Sequence, residues 1–77
     1  MEIKYSKAAA KFLRKQDKVT QKRIMSAIEK IPKGDIVKLQ GISGYLLRIG
    51  IYRVIYDIYG NVLDIIDIDN RRQIYKK

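Results

Sequence analysis

The stretch "YLLRIGIYRVIYDIYGNVLDIIDI", residues 45–68, decides the fold of this protein. It contains three apolar and aromatic runs, at 45–49, 52–58 and 62–68, separated by short links that contain glycine. Runs of this length and composition are typical of β-strands. Because links this short join neighbouring strands that run in opposite directions, the stretch predicts three consecutive antiparallel strands.

The residues before this stretch predict one more strand and two helices. "EIKYS" at 2–6 alternates polar and apolar residues, as a strand does, and Ser6 then suits the capping position of a first helix. A second helix, capped by Asp17 or Thr20, ends before Pro32, because proline disfavours the helical conformation in the residue that precedes it. Each helix carries one apolar stripe: Ala8, Ala9, Phe12 and Leu13 in the first, and Ile24, Ala27, Ile28 and Ile31 in the second.

These elements predict an α+β fold in the order β-α-α-β-β-β, within one domain that spans residues 1–77. "GDIVKLQGISG" at 34–44 is a glycine-bounded connector, containing a short extended piece, between the second helix and the three strands. The helical hairpin packs its stripes on one face of a small antiparallel sheet. The other face of the sheet then remains available for function.

The net charge of +9 is the strongest compositional signal. Residues 1–33 hold ten basic and three acidic residues, a net of +7, and residues 34–77 hold seven and five, a net of +2. A positive field of this size attracts polyanions, either nucleic acid or an acidic protein. The alternative for the N-terminal half is a lysine-rich helix surface that keeps the protein soluble.

Several classes of function are excluded by residues that the sequence lacks. It has no cysteine and no histidine, so disulfides, thiolate chemistry and the usual general base are absent. No run of about 20 apolar residues exists to span a membrane, and Lys11, Arg14 and Lys15 interrupt any signal peptide. We therefore expect a cytoplasmic protein without membrane association. We also expect no metal and no cofactor, since the strand aspartates have mixed parity: Asp57, Asp64, Asp67 and Asp69.

Strand parity assigns the arginines of the sheet to one face. Side chains alternate between the two faces along a strand, so the apolar set of 52–58 (Tyr52, Val54, Tyr56 and Ile58) meets the helices. Arg48 and Arg53 then lie together on the opposite face, where a bound anion relieves their repulsion. The alternative is a pair of surface arginines that form ion pairs with Asp57 and Asp64. Arginine favours the functional interpretation, because its planar fork suits bidentate contact with phosphate.

The C-terminal segment after the last strand holds Arg71, Arg72 and Tyr75. A tyrosine among arginines can stack on an exposed base, or exchange protons if the neighbouring cations lower its pKa. Packing in the core is the alternative for this tyrosine.

Four motifs in the right order resemble the RelE/ParE superfamily of toxins from bacterial and archaeal type II toxin–antitoxin systems. They are "YSKAAAKFLRKQDK" at 5–18, "VKLQG" at 37–41, "YLLRIGIYRVIYDI" at 45–58 and "DIDNRRQIYKK" at 67–77. The resemblance covers essentially the whole chain and implies the same fold, a helical hairpin on an antiparallel sheet.

The RelE branch of this superfamily cleaves mRNA in the ribosomal A site and so inhibits translation and growth. The resemblance implies a metal-free endonuclease in which the substrate 2′-hydroxyl attacks the adjacent phosphate. Carried over by position, Arg53 and Arg48 stabilise the phosphate, Arg71 assists the leaving group, and Tyr75 is a stacking platform and candidate base. The implied RNA-binding residues are Lys38, Arg72, Lys76 and Lys77.

The ParE branch, which uses the same fold to inhibit DNA gyrase, is the first alternative, and a catalytically weak binding module is the second. Gly44 and Leu46 stand where well-known ribosome-dependent members have lysines, and Asn70 stands where some have a histidine. The implied partners are a RelB-like acidic antitoxin that folds on binding, the ribosome with its mRNA, and operator DNA bound through the antitoxin.

Overall fold

The computed structural model describes residues 2–39 and 44–70, which form two helices and one five-stranded sheet. The predicted α+β class is confirmed, with an N-terminal strand followed by a helical hairpin. Neither described helix is long and apolar enough to cross a membrane. The elements are β1 Glu2–Tyr5, α1 Lys7–Arg14, α2 Lys18–Glu29, β2 Asp35–Lys38, β3 Tyr45–Ile49, β4 Tyr52–Tyr59 and β5 Val62–Asn70.

The sheet has the strand order β1-β5-β4-β3-β2, which adds two features to the sequence prediction. The connector contains a full strand, β2, which pairs antiparallel with β3, so four strands and not three follow the helices. The sheet is also mixed, because β1 pairs in parallel with β5. The helical hairpin carries the chain from β1 to the opposite edge at β2, and the meander then returns to β1. A parallel pair needs such a crossover connection.

Two hairpins with two-residue loops set the register of the central strands. Ile49 pairs with Tyr52 across the loop Gly50–Ile51, and Tyr59 pairs with Val62 across the loop Gly60–Asn61. Both loop glycines have φ of 58°, a positive value that glycine adopts without a steric penalty.

Ser6 links the first helix to the last strand through one hydroxyl group. Its Oγ accepts a hydrogen bond from the backbone N–H of Ala9 at 3.0 Å, which confirms the predicted helix cap. The same hydroxyl donates to the carbonyl of Ile66 at 2.7 Å. Ile66 is the extra residue of a β-bulge, since Ile55 pairs with Asp67 while the next residue of β4 pairs with Ile65. The serine therefore anchors α1 at the point where β5 bends.

The core lies between the helices and the sheet. Ile24 and Ile28 of α2 are fully buried, and Leu13 of α1 is nearly so, against β3, β4 and β5. The predicted stripes are confirmed except at Ala8, which is exposed. The predicted inward set of β4 is wrong at Ile58, which is 38% exposed because it lies near the outer end of the strand. Phe12 and Tyr52 join α1 to β4 through an edge-to-face contact at 6.0 Å.

Gly44, which directly precedes β3, has a conformation and a space that only glycine fits. Its φ is +121°, and a Cβ atom there would lie 3.1 Å from the backbone carbonyl oxygen of Tyr56. Gly60 is a useful contrast, because its φ is +58° and a Cβ atom added there would meet nothing within 4 Å.

We expect Gly44→Ala to lower the free energy of unfolding by about 2 kcal/mol or more, since it adds a backbone contact to an unfavourable φ. Gly60→Ala, the matched control, should cost only about 1 kcal/mol, the penalty of a left-handed alanine. Urea unfolding of both variants measures the difference. Equal midpoints for the two variants would show that the close approach at Gly44 is not a constraint.

Candidate active site

Arg48 and Arg53 lie directly opposite each other on β3 and β4, on the open face, defined here as the sheet face away from the helices. Asp35 is paired with Arg48 across β2–β3, and Asp69 with Arg53 across β4–β5. We call these four residues the arginine row. Like charges placed directly opposite destabilise a sheet, so a carboxylate at each end of the row offsets the repulsion between the two guanidinium groups.

Arg48 is the accessible member of the pair. Its Nη2 donates to Oδ1 of Asp35 at 2.8 Å, and the two side chains are 39% and 58% exposed. The sequence offered Asp57 and Asp64 as partners for surface arginines, whereas this ion pair is made with Asp35. The reason is that β2 lies in register beside β3, a pairing that the connector sequence does not reveal.

Arg53 is only 6% exposed, and its guanidinium holds the β3–β4 turn. Its Nη1 donates to the carbonyl of Gly50 at 2.9 Å and to the carbonyl of Tyr52 at 3.0 Å. Both N–H groups of that nitrogen are therefore directed at the backbone. The arginine whose phosphate contact the sequence predicts is thus also a structural element of its own hairpin.

On β2, β3 and β4, the row of the open face next to the arginines is apolar. Val37, Leu46 and Ile55 occupy successive strands at this level, and Leu46 is only 4% exposed. Leu46 and the confined Gly44 are the two positions at which lysines are expected by resemblance to well-known ribosome-dependent toxins. The cations of the open face are therefore concentrated in the arginine row and do not extend along β3.

The bulge at Ile66 gathers carboxylates on the open face. It shifts the register of β5, so that the aspartates predicted to have mixed parity share one face: Asp57, Asp64, Asp67 and Asp69. That parity prediction was wrong, because a bulge cannot be located from alternation alone. Within residues 2–39 and 44–70, no group of acidic residues is arranged to hold a metal ion. By register, the described open face holds three basic residues (Lys4, Arg48 and Arg53) and six acidic ones (Glu2, Asp35, Asp57, Asp64, Asp67 and Asp69).

Three described tyrosines are poor candidates for a proton acceptor. The pKa of Tyr59 is raised from 10.0 chiefly by the hydrogen bond that its hydroxyl makes with Asp57. Burial raises the pKa of Tyr5 and of Tyr56 from the same value. A raised pKa makes the phenolate harder to form, so less of each of these side chains is available in the form that accepts a proton.

The other predicted site residues do not join the arginines in the described part of the chain. Lys38 is exposed and pairs with Tyr45 at the opposite end of β2 from Asp35, and strand alternation puts it on the helix side. The remaining predicted residues lie outside the described residues: Arg71, Arg72, Tyr75, Lys76 and Lys77. Asp35 was missed by sequence reasoning, and recognising "DIVK" as a strand is the signal that would have found it.

The two arginines should differ in their contribution to stability. We expect Arg53→Met to lower the free energy of unfolding by about 1–3 kcal/mol, because it leaves two turn carbonyls without their donor. Arg48→Met should cost less than about 1 kcal/mol, since exposed ion pairs contribute little. Urea denaturation of both variants tests this, and a larger loss for Arg48→Met would contradict the structural role of Arg53.

Solved structures with high similarity to this chain are RelE toxins in complex with antitoxins. The RelB–RelE antitoxin–toxin complex from Methanococcus jannaschii matches with a TM-score of 0.76 and 26% identity over 94% of both chains. The intact RelBE toxin–antitoxin complex of E. coli matches with a TM-score of 0.73 and 17% identity, over 92% of this chain and 96% of that one. The toxin–antitoxin complex RelBE2 from Mycobacterium tuberculosis matches with a TM-score of 0.68 and 18% identity, over 91% of this chain and 96% of that one.

No protein-family model and no curated protein matches the chain. The likeness is therefore carried by the structure, over nearly the full length of both this chain and the matched ones. The protein has the RelE-like toxin fold.

Proposed function

We propose that this protein is the toxin of a type II toxin–antitoxin pair and that it cleaves mRNA on the ribosome. The structural matches support the first part, a type II toxin. The observation that carries the second part is the arginine pair, Arg48 opposite Arg53, on the sheet face that the helices leave uncovered.

In the proposed reaction, the 2′-hydroxyl of one nucleotide attacks the adjacent phosphate and the 5′-oxygen of the next nucleotide leaves. Negative charge builds on the phosphoryl oxygens as the new bond forms, and cations positioned there lower the barrier. Arg48 offers an exposed guanidinium for direct contact. Arg53 adds a positive charge from a position fixed by two backbone carbonyls.

The remaining steps belong to the C-terminal segment in this proposal. Arg71 assists the 5′-oxygen leaving group, and Tyr75 stacks on a base and accepts the proton of the 2′-hydroxyl. This division of labour is consistent with the raised pKa values of Tyr5, Tyr56 and Tyr59, since a raised pKa leaves less phenolate on those three side chains to act as a base.

The ribosome and its mRNA are the proposed macromolecular substrate. Support comes from the helical layer, residues 7–33, where nine basic and two acidic residues give a net charge of +7. Every one of those basic residues is exposed. A field of this strength accelerates the approach to RNA. The further RNA contacts in this proposal are Lys38, Arg72, Lys76 and Lys77.

The proposed protein partner is a RelB-like antitoxin. The matched structures are antitoxin–toxin complexes, and the net charge of +9 favours an acidic chain that orders on binding. The complex would reach its operator DNA through the antitoxin. An adjacent short reading frame that encodes an acidic protein is the natural candidate for this partner.

We expect that expression of this protein alone arrests growth and produces mRNA 5′ ends within translated codons. Arg48→Ala should reduce cleavage about 100-fold, the usual effect of removing one donor to a developing oxyanion. Lys4→Ala is the matched control, because it removes one cation from the far side of the same face. Mapping of mRNA 5′ ends after induction, with thermal unfolding of each variant, makes the measurement.

The same expression experiment separates the alternatives. DNA breaks and an SOS-type response with intact mRNA would indicate gyrase inhibition, and the absence of growth arrest would indicate a binding module. Full toxicity in Arg48→Ala, Arg71→Ala and Tyr75→Phe would reject the assigned site. Purified protein should leave naked mRNA intact and cut it in a translating extract; cleavage of naked mRNA at the same rate would argue against ribosome dependence.

A further inference from the structure

A second cationic feature lies beside the arginine row, at the end of the sheet where β3 turns into β4. It is a cleft of about 350 Å³. It is lined by α2, by the α2–β2 loop, by the start of β2 and by the end of β3. Its apolar floor is formed by Ala27, Leu47 and Ile49, and its charged side chains are Arg23, Lys30, Lys33, Asp35 and Arg48. A cleft of this size can hold a nucleotide-sized group.

The charges of this cleft favour an anionic ligand. Four of its five charged side chains are cations, and Asp35 is its one carboxylate among the described residues. That carboxylate is already bonded to Arg48 at 2.8 Å. The cleft therefore presents a net charge of +3, and two of its cations are arginines, whose forks match phosphate oxygens.

The β3–β4 turn joins this cleft to the proposed active site. A Cβ atom at Gly50 would lie 3.0 Å from Nη2 of Arg23, so the Arg23 guanidinium rests against the helix side of the turn. On the other side, Arg53 donates to the carbonyl of the same glycine at 2.9 Å. Arg48 lines the cleft and also belongs to the arginine row. Cations of both layers thus meet around one turn.

We propose that this cleft binds the phosphodiester backbone of single-stranded RNA next to the scissile phosphate. The strand passes from the arginine row around the edge of the sheet, and its adjoining phosphates contact Arg23, Lys30 and Lys33. This proposal rests on the proposed RNA substrate. It assigns a function to helix-side residues that the chemistry at Arg48 and Arg53 does not use.

The test is binding of a fluorescent 2′-O-methyl oligoribonucleotide of about twelve nucleotides, which cannot be cleaved because its 2′-oxygen is blocked. The cleft variant combines Arg23→Gln, Lys30→Gln and Lys33→Gln. The control variant combines Lys7→Gln, Lys11→Gln and Lys15→Gln, removing the same charge from α1 and its C-cap residue; this helix packs over β5 and β1. All six side chains are exposed, so both variants should fold.

We expect the cleft variant to bind the oligoribonucleotide at least about tenfold more weakly at moderate salt. Its slope of log Kd against log salt should also fall by about two, because three phosphate contacts are lost and each contact to a single strand contributes about 0.7. The control variant should change both quantities by less than half as much. Equal losses in the two variants, or no binding by the unmodified protein, would overturn the proposal.

Two further outcomes distinguish RNA binding at the cleft from antitoxin docking there and from the proposed nuclease activity. Intact RNA binding in the cleft variant with lost binding of an acidic antitoxin peptide would make the cleft a protein-docking site and overturn the assignment to RNA. If RNA binding is lost only in the cleft variant and the expressed protein produces no mRNA cuts, the cleft is supported as an RNA-binding site and the nuclease activity is rejected. The two proposals can therefore fail independently.

Discussion

The structure depends on the register of the β3–β4 hairpin, which the two-residue loop Gly50–Ile51 fixes. A slip of one residue would exchange the two faces of β4, bringing Arg53 into the core and Val54 out of it. Arg53 stabilises the register that positions it, since its Nη1 donates to the carbonyl of Gly50 in the loop and to that of Tyr52 just after it. Core packing, the arginine pair and the edge cleft all follow from this one turn.

The charges of the molecule are divided between its two layers. The helical layer is strongly basic, whereas the described open face carries six carboxylates against three cations. RNA that approaches the open face therefore meets favourable potential chiefly at the end where Arg48 and Arg53 lie. The basic helices adjoin that same end at Arg23. Because the two cationic regions meet at the β3–β4 turn, this end of the sheet is, among the residues that the structure describes, the most favourable place for a phosphate chain.

Sequence patterns predicted what is local and missed what depends on pairing. The spacing of Ile24 and Ile28 and the parity of β4 identified the core face, since burial imposes those periods directly. The parallel pairing of β1 was not predictable, because alternation does not say which strand lies alongside. Asp35 was missed because its four-residue edge strand is mostly exposed, and the face shared by Asp64 and Asp67 was hidden by the bulge at Ile66.

The two arginines are not equivalent in the proposed chemistry. A phosphate that displaces Asp35 from Arg48 breaks one exposed ion pair, which costs less than about 1 kcal/mol. Displacing the carbonyls of Gly50 and Tyr52 from Arg53 would leave both without their donor, at about 1–3 kcal/mol in total. In the proposed chemistry Arg48 would therefore exchange a carboxylate for substrate, and Arg53 would be the fixed charge against which the phosphate is held. With Gly44 confined and Leu46 buried at the neighbouring level, the proposed phosphate recognition by the described part of this face would depend on that exchange at Arg48.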